Sequence, residues 1–180
     1  TLVLDAEEYQ HLARGLLAGT WSDAAAQTYV HGILYPAVWA AVEWCGGGVP
    51  ALLILQAVLG ALTCVLLYEG ARHLLTQSAA ILCGVLASLY WPFLLFGAQP
   101  LATALVIFLV AALIAWQSRP ASMSDLSLAG AGLLLALLGA TRANALLLVP
   151  VVAWVAATRS QSEGRSPRRA LLVLGAGLGI

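Results

Sequence analysis

Three carboxylates, Asp5, Glu7 and Glu8, head the stretch LDAEEYQHLARGLLAG, and a histidine, His31, sits in a second patch, TYVHGILYP. Farther along the chain come Gln99 in AQPLATAL and Arg142 in GATRANALLLVP. A carboxylate can take the proton of a hydroxyl held within hydrogen-bond reach, which is general-base chemistry. A guanidinium holds a phosphate through paired N–H···O bonds. Each residue also has a plain structural reading. Asp5 with Glu8 three positions later forms a capping-box pattern at a helix start. A lone interfacial histidine is more often structural than catalytic, and Arg142 reads equally as a loop arginine between two helices.

The elements that must position these residues are apolar. The chain has 180 residues, is 62% hydrophobic and 9% charged, and has a mean hydropathy of +0.93. Soluble domains carry roughly 25% charged residues, so this composition predicts an integral membrane protein in contact with a lipid bilayer. The formal net charge is zero, which gives no nucleic-acid footprint. All basic residues are arginine, a bias that reflects base composition rather than chemistry. Cys45, Cys64 and Cys83 lie scattered in apolar surroundings without metal-ligand spacing and read as small hydrophobes.

Crossing a hydrocarbon core takes roughly 20 apolar helical residues, with a range of about 17–25. Residues 50–70, 78–97 (broken by Pro92), 100–116, 126–141 and 143–158 read as spans, and 170–180 opens a sixth. Segment 33–44, ILYPAVWAAVEW, is too short to cross comfortably and contains Glu43. If it crossed, Arg72, Arg119, Arg159, Arg165, Arg168 and Arg169 would share the outer side with residues 1–30. If it lies in the interface, those arginines fall inside and only Arg14 and Arg142 stay outside, the arrangement that the positive-inside rule favours. Trp39 and Trp44 suit such an interfacial helix. Residues 1–49 then form an external loop with amphipathic helices and 50–180 the transmembrane region, an all-α polytopic bundle. Asp5, Glu7, Glu8, His31, Gln99 and Arg142 land on one external face. The helix from Asp5 to Leu17 carries Tyr9, Leu12, Ala13, Leu16 and Leu17 on one stripe, has Gly19 as its C-cap, and is expected to lie on the membrane. The missing initiator Met and the closing run LLVLGAGLGI suggest a piece of a larger polytopic protein.

These patches resemble the GT-C membrane glycosyltransferases that use a polyprenyl-phosphate sugar, closest to the protein mannosyltransferase and aminoarabinose transferase branch. Asp5-Ala6-Glu7-Glu8-Tyr9 resembles the family's acidic motif, commonly Asp-Glu followed by an aromatic residue. Here the Asp is not directly followed by Glu, so the auxiliary carboxylate falls to Glu7 or Glu8. Tyr29, His31, Gly32, Leu34, Tyr35 and Pro36 resemble the HPPLYP or HGPLYP segment, with Ile33 in place of a proline. Residues 98–105 resemble the second external loop, with Gln99 where Asp or Glu is frequent. Arg142 lies in a segment similar to the family's TRPNAL.

The resemblance implies a GT-C-like bundle in which Asp5 is the catalytic base. Arg142, His31 and Tyr35 would stand at the donor phosphate and Gln99 at the acceptor. It implies inverting transfer of a sugar from polyprenyl phosphate to a glycan, lipid or protein hydroxyl on the non-cytoplasmic face. The arginine bias and Ala/Leu/Gly-rich composition favour a bacterial inner membrane with a periplasmic site. A divalent metal is left open, because Gln is a poor ligand for a hard cation. Two rivals stand beside this reading. A transporter or flippase module would place ionisable residues at mid-membrane on interrupted helices. A structural subunit would use small residues such as Gly130, Gly132 and Gly139 for helix packing.

Overall fold

The computed structural model describes residues 4–20, 32–119, 124–164 and 166–179. Among them all regular structure is helical: α1 (Leu4–Ala18), α2 (Leu34–Trp44), α3 (Val49–Ala71), α4 (Gln77–Leu89), α5 (Trp91–Gly97), α6 (Thr103–Ser118), α7 (Asp125–Thr141), a 3₁₀ segment (Ala143–Leu148), α8 (Val149–Ser162) and α9 (Pro167–Leu178).

Two helical segments are long and apolar enough to cross a membrane: Val49–Ala71, and Ala143–Ser162, which joins the 3₁₀ segment to α8. Helices α4 and α5 make a third if they count as one span, bent by 47°. The bend lies where Pro92 lacks an N–H for the carbonyl of Ser88 and its ring crowds that carbonyl. Helices α6 and α7 are shorter apolar helices. Ile54, Val58, Leu62 and Val65 of α3 face outward. Apolar helices of this length mark a membrane protein, and those outward side chains are not covered by the protein itself. At the C-terminal end of α3, Glu69 pairs locally with Arg72 at 3.2 Å, as three-residue spacing on a helix allows.

Backbone closeness sets the packing of α7 on α9. A Cβ at Gly132 would collide with the carbonyl of Leu174, and one at Gly177 with that of Ala129. Gly139 lies under Leu146 of the 3₁₀ segment, 2.7 Å from where a Cβ would meet it, whereas Gly130 faces open space. Of the three glycines expected to serve packing, Gly132 joins two helices, Gly139 admits a neighbouring side chain and Gly130 does neither. Replacing Gly132 with Leu is expected to push α7 from α9 and cost about 1–3 kcal/mol, the usual scale of overpacking. Thermal unfolding in detergent checks this, with Gly130→Leu expected to leave the midpoint near that of the unaltered protein.

The expected apolar stripe on α1 is present, but it faces protein. Ala6, Tyr9, Leu12 and Ala13 are buried, and Tyr9 and Ala13 join Tyr35, Trp39, Ala40, Leu52 and Ala102 in one core. The stripe therefore does not lie on the membrane as expected, because α2 occupies that face. Leu17 is 47% exposed and falls off the stripe. Of the two tryptophans expected at an interface, Trp44 is exposed and Trp39 is fully buried, its indole N–H donating to Glu43 at 3.1 Å. Arg14 approaches the other Glu43 oxygen at 3.9 Å, so the one carboxylate of this apolar helix is used to tie α1 to α2.

Candidate functional site

The site is built on the first turns of α1. That helix begins at Leu4, so Asp5 lies inside the first turn rather than at the cap that the capping-box reading assigned to it. Carboxylates there are favoured by the positive end of the helix dipole. The 3.6-residue period puts Asp5, Glu8 and Tyr9 on one flank and swings Glu7 to the other. All three carboxylates are exposed to solvent. Of the two candidates for the second carboxylate, Glu8 is the one that shares a flank with Asp5. The helix ends where Gly19, at φ +71°, lets its own N–H reach Leu16 and that of Thr20 reach Gly15. This paired closure is a Schellman motif.

Gly32, at φ +70°, leads into α2. A Cβ there would run into the carbonyl of Thr141 and lie 2.6 Å from that of Ala140. The backbone at the start of the HGILYP patch is thus pressed against the C-terminal end of α7, one residue from Arg142. His31 itself lies outside the described residues. Three residues after Gly32, Tyr35 is buried edge-on to Tyr9, with ring centres 4.9 Å apart, and to Trp39 at 6.2 Å. The Tyr35 hydroxyl has no hydrogen-bond partner among the described residues. Burial pushes its pKa up, with Tyr9 adding to the shift, so the phenol stays neutral.

Arg142 bridges the end of α7 and the 3₁₀ segment with extended backbone, φ −149° and ψ 120°. Its guanidinium acts on the hydroxyl of Tyr9, favouring the ionised phenol. Burial raises the Tyr9 pKa, Arg142 pulls against that rise, and the fields of Asp5 and Glu8 add to it. Tyr9 therefore feels both the carboxylates of α1, Asp5 and Glu8, and the cation that follows α7, Arg142. In the sequence, Tyr9 stands on an apolar stripe and as the aromatic residue after the acidic motif, with no role of its own. The available signal was that Tyr9 is the single hydroxyl on that stripe, one helical turn from Asp5.

The segment that leads into α6 reaches the same core through the neighbours of Gln99. Leu101 and Leu105 pack against the cluster of Tyr9, Tyr35 and Trp39, and Gln56 of α3 donates to the Leu101 carbonyl at 2.9 Å. Gln99 is half-buried in the turn before them and has no side-chain hydrogen bond to Asp5, Glu8 or Arg142 among the described residues. Also among the described residues, no three His, Cys, Asp or Glu side chains converge as a metal ion would require.

Chemically, the arrangement sets two solvent-accessible carboxylates and a guanidinium around Tyr9. A base and an anion holder within one small region suit transfer of a group from a phosphate to a hydroxyl. Comparison with known protein families, curated proteins and solved structures gives no match to this chain.

Proposed function

We propose that this protein transfers a sugar from a polyprenyl-phosphate donor to an acceptor hydroxyl, with inversion. The observation that carries the reading is the close approach of Gly32 to the end of α7, beside Arg142, whose charge acts on Tyr9 on the flank of α1 that also bears Asp5 and Glu8. Asp5 takes the proton of the acceptor hydroxyl. The acceptor oxygen attacks the anomeric carbon, the bond from that carbon to the phosphate oxygen breaks, and polyprenyl phosphate leaves with its charge held by Arg142. Glu8 supports Asp5 electrostatically, and Tyr35 shapes the apolar side of the donor site. Gln99 stands on the acceptor side. The fold is a polytopic GT-C-like bundle in a bacterial inner membrane, its site on the periplasmic face. A transporter reading fits less well, because the broken span α4–α5 carries no carboxylate or basic side chain at its break.

The test is turnover and donor-lipid affinity of the full-length protein at matched amounts of folded material. Arg142→Ala is expected to lower turnover about 10²-fold, the scale on which losing one preorganised donor to a developing anion falls. Arg142→Lys keeps the charge but loses the fork, and is expected to retain more activity than Arg142→Ala. Tyr9→Phe, which removes only the hydroxyl on which Arg142 acts, is expected to fall between wild type and Arg142→Ala. Wild-type turnover and affinity in Arg142→Ala would overturn the reading.

A further inference from the structure

At the far end of α7, about 25 Å from Arg142 by the helical rise, lies a second polar region that the proposed reaction does not use. A cavity of about 440 Å³ opens there between α7, α8 and α9, lined by Ser124, Asp125, Ser160, Ser166 and Arg169 over a floor of Leu128 and Ala170. Two helices begin at this cavity. Ser124 caps α7 by accepting from the Ser127 N–H at 3.1 Å, whereas Ser166 makes no side-chain cap on α9. Pro167 brings no N–H, and the following amides of the first turn have no acceptor within their own helix. Both amino ends direct positive partial charge at the cavity. Arg168 and Arg169, in the first turn of α9, add two full positive charges.

The second observation is Ser160. It is 1% exposed, lines the cavity, and its hydroxyl has no hydrogen-bond partner among the described residues. A helical serine or threonine ordinarily returns its hydroxyl to the carbonyl four residues back. Thr63, Ser118, Thr141 and Thr158 all do so here. Ser160 does not, so a buried donor on the cavity wall is left without an acceptor, a costly arrangement unless something fills it. One carboxylate shares the cavity: Asp125 pairs with Arg169 at 2.6 Å, both side chains being substantially exposed. That pair occupies Arg169 and leaves Ser160 and the uncapped start of α9 unanswered.

We propose that this cavity binds a phosphate-bearing anion, which takes Arg169 from Asp125, accepts from Ser160 and sits on the amino end of α9. The chemistry is that of anion binding at helix N-termini reinforced by a guanidinium. The anion is either a soluble phosphate or the headgroup of an anionic lipid, and the site is independent of the transfer reaction proposed above.

The experiment has two arms on the full-length protein. In detergent, inorganic phosphate is titrated calorimetrically. In nanodiscs, retention of phosphatidylglycerol over phosphatidylcholine is read by native mass spectrometry. Arg169→Gln and Ser160→Ala are expected to weaken binding about tenfold or more and by a few fold respectively, with unfolding midpoints unchanged. Asp125→Asn is expected to tighten binding, because it removes the competing carboxylate, an effect that a purely structural salt bridge would not produce. Saturable phosphate binding with this pattern supports a soluble ligand. Selective phosphatidylglycerol retention with this pattern, without phosphate saturation, supports a headgroup. Absence of both, or binding that is equal in wild type, Arg169→Gln and Asp125→Asn, overturns the proposal.

Discussion

Asp5→Asn in the full-length protein is expected to reduce turnover by about 10²–10⁴-fold, the range a positioned general base contributes, while donor-lipid affinity stays near that of the wild type. The amide keeps the size of the carboxylate and its place in the first turn of α1, but it cannot accept a proton. Asp5 is exposed and is not the cap of its helix, so structural loss does not compete as an explanation. Exposed substitutions of this kind shift stability by roughly 0.5 kcal/mol or less. The measurement is steady-state turnover with a polyprenyl-phosphate sugar, alongside donor affinity. Glu8→Gln on the same flank is expected to cost less than Asp5→Asn, and Glu7→Gln, on the opposite flank, least of all. Activity above about half of wild type in Asp5→Asn would return the residue to a purely local role at the start of α1.

Gly32→Ala is expected to be the most damaging conservative change in the chain. Two independent effects meet there. At φ +70° an alanine is strained, at about 1–3 kcal/mol for a non-glycine residue in the left-handed region. Its Cβ would also intrude on the carbonyls of Ala140 and Thr141, and backbone carbonyls at a helix end cannot step aside as a side chain can. Overpacking adds about 1–3 kcal/mol. Gly46 separates the two effects, because it sits at φ +80° with nothing near its missing Cβ. Gly46→Ala should therefore show the strain alone. Thermal unfolding of both variants checks the difference, and Gly32→Ala should in addition weaken donor binding, since it parts the start of α2 from Arg142. Equal midpoints for the two variants would mean that the HGILYP patch does not press on α7.

What was legible in the sequence is the set of elements. The stretches 50–70, 78–97, 126–141 and 143–158 are helical within a few residues of the expected bounds, but of the five spans and the start of a sixth that were expected, only Val49–Ala71 and Ala143–Ser162, with the bent α4–α5 pair as a third, are long and apolar enough to cross a membrane among the described residues. The expected helix 5–17 is Leu4–Ala18, closed at Gly19 as its sequence predicts. These features are local. A run of apolar side chains, a proline without an N–H and a glycine free to take positive φ act on their own few residues, so their consequences can be read in order along the chain.

The pairing of surfaces was not legible, because it depends on how each helix is rotated toward its neighbour. The stripe on α1 has the same sequence whether lipid or α2 covers it, and only the packed aromatic cluster of Tyr9, Tyr35 and Trp39 decides for α2. Periodicity places Glu8 beside Asp5, but it cannot say which flank of α1 faces Arg142. That was decided by Gly32, whose missing side chain lets the start of α2 close on the end of α7 and so brings Arg142 to Tyr9. By itself, then, the sequence determined a set of apolar helices with a cluster of ionisable residues among their connections. The tertiary structure decided which of those residues meet, since contacts between distant segments are set by close packing at a few small residues and not by the composition of either segment.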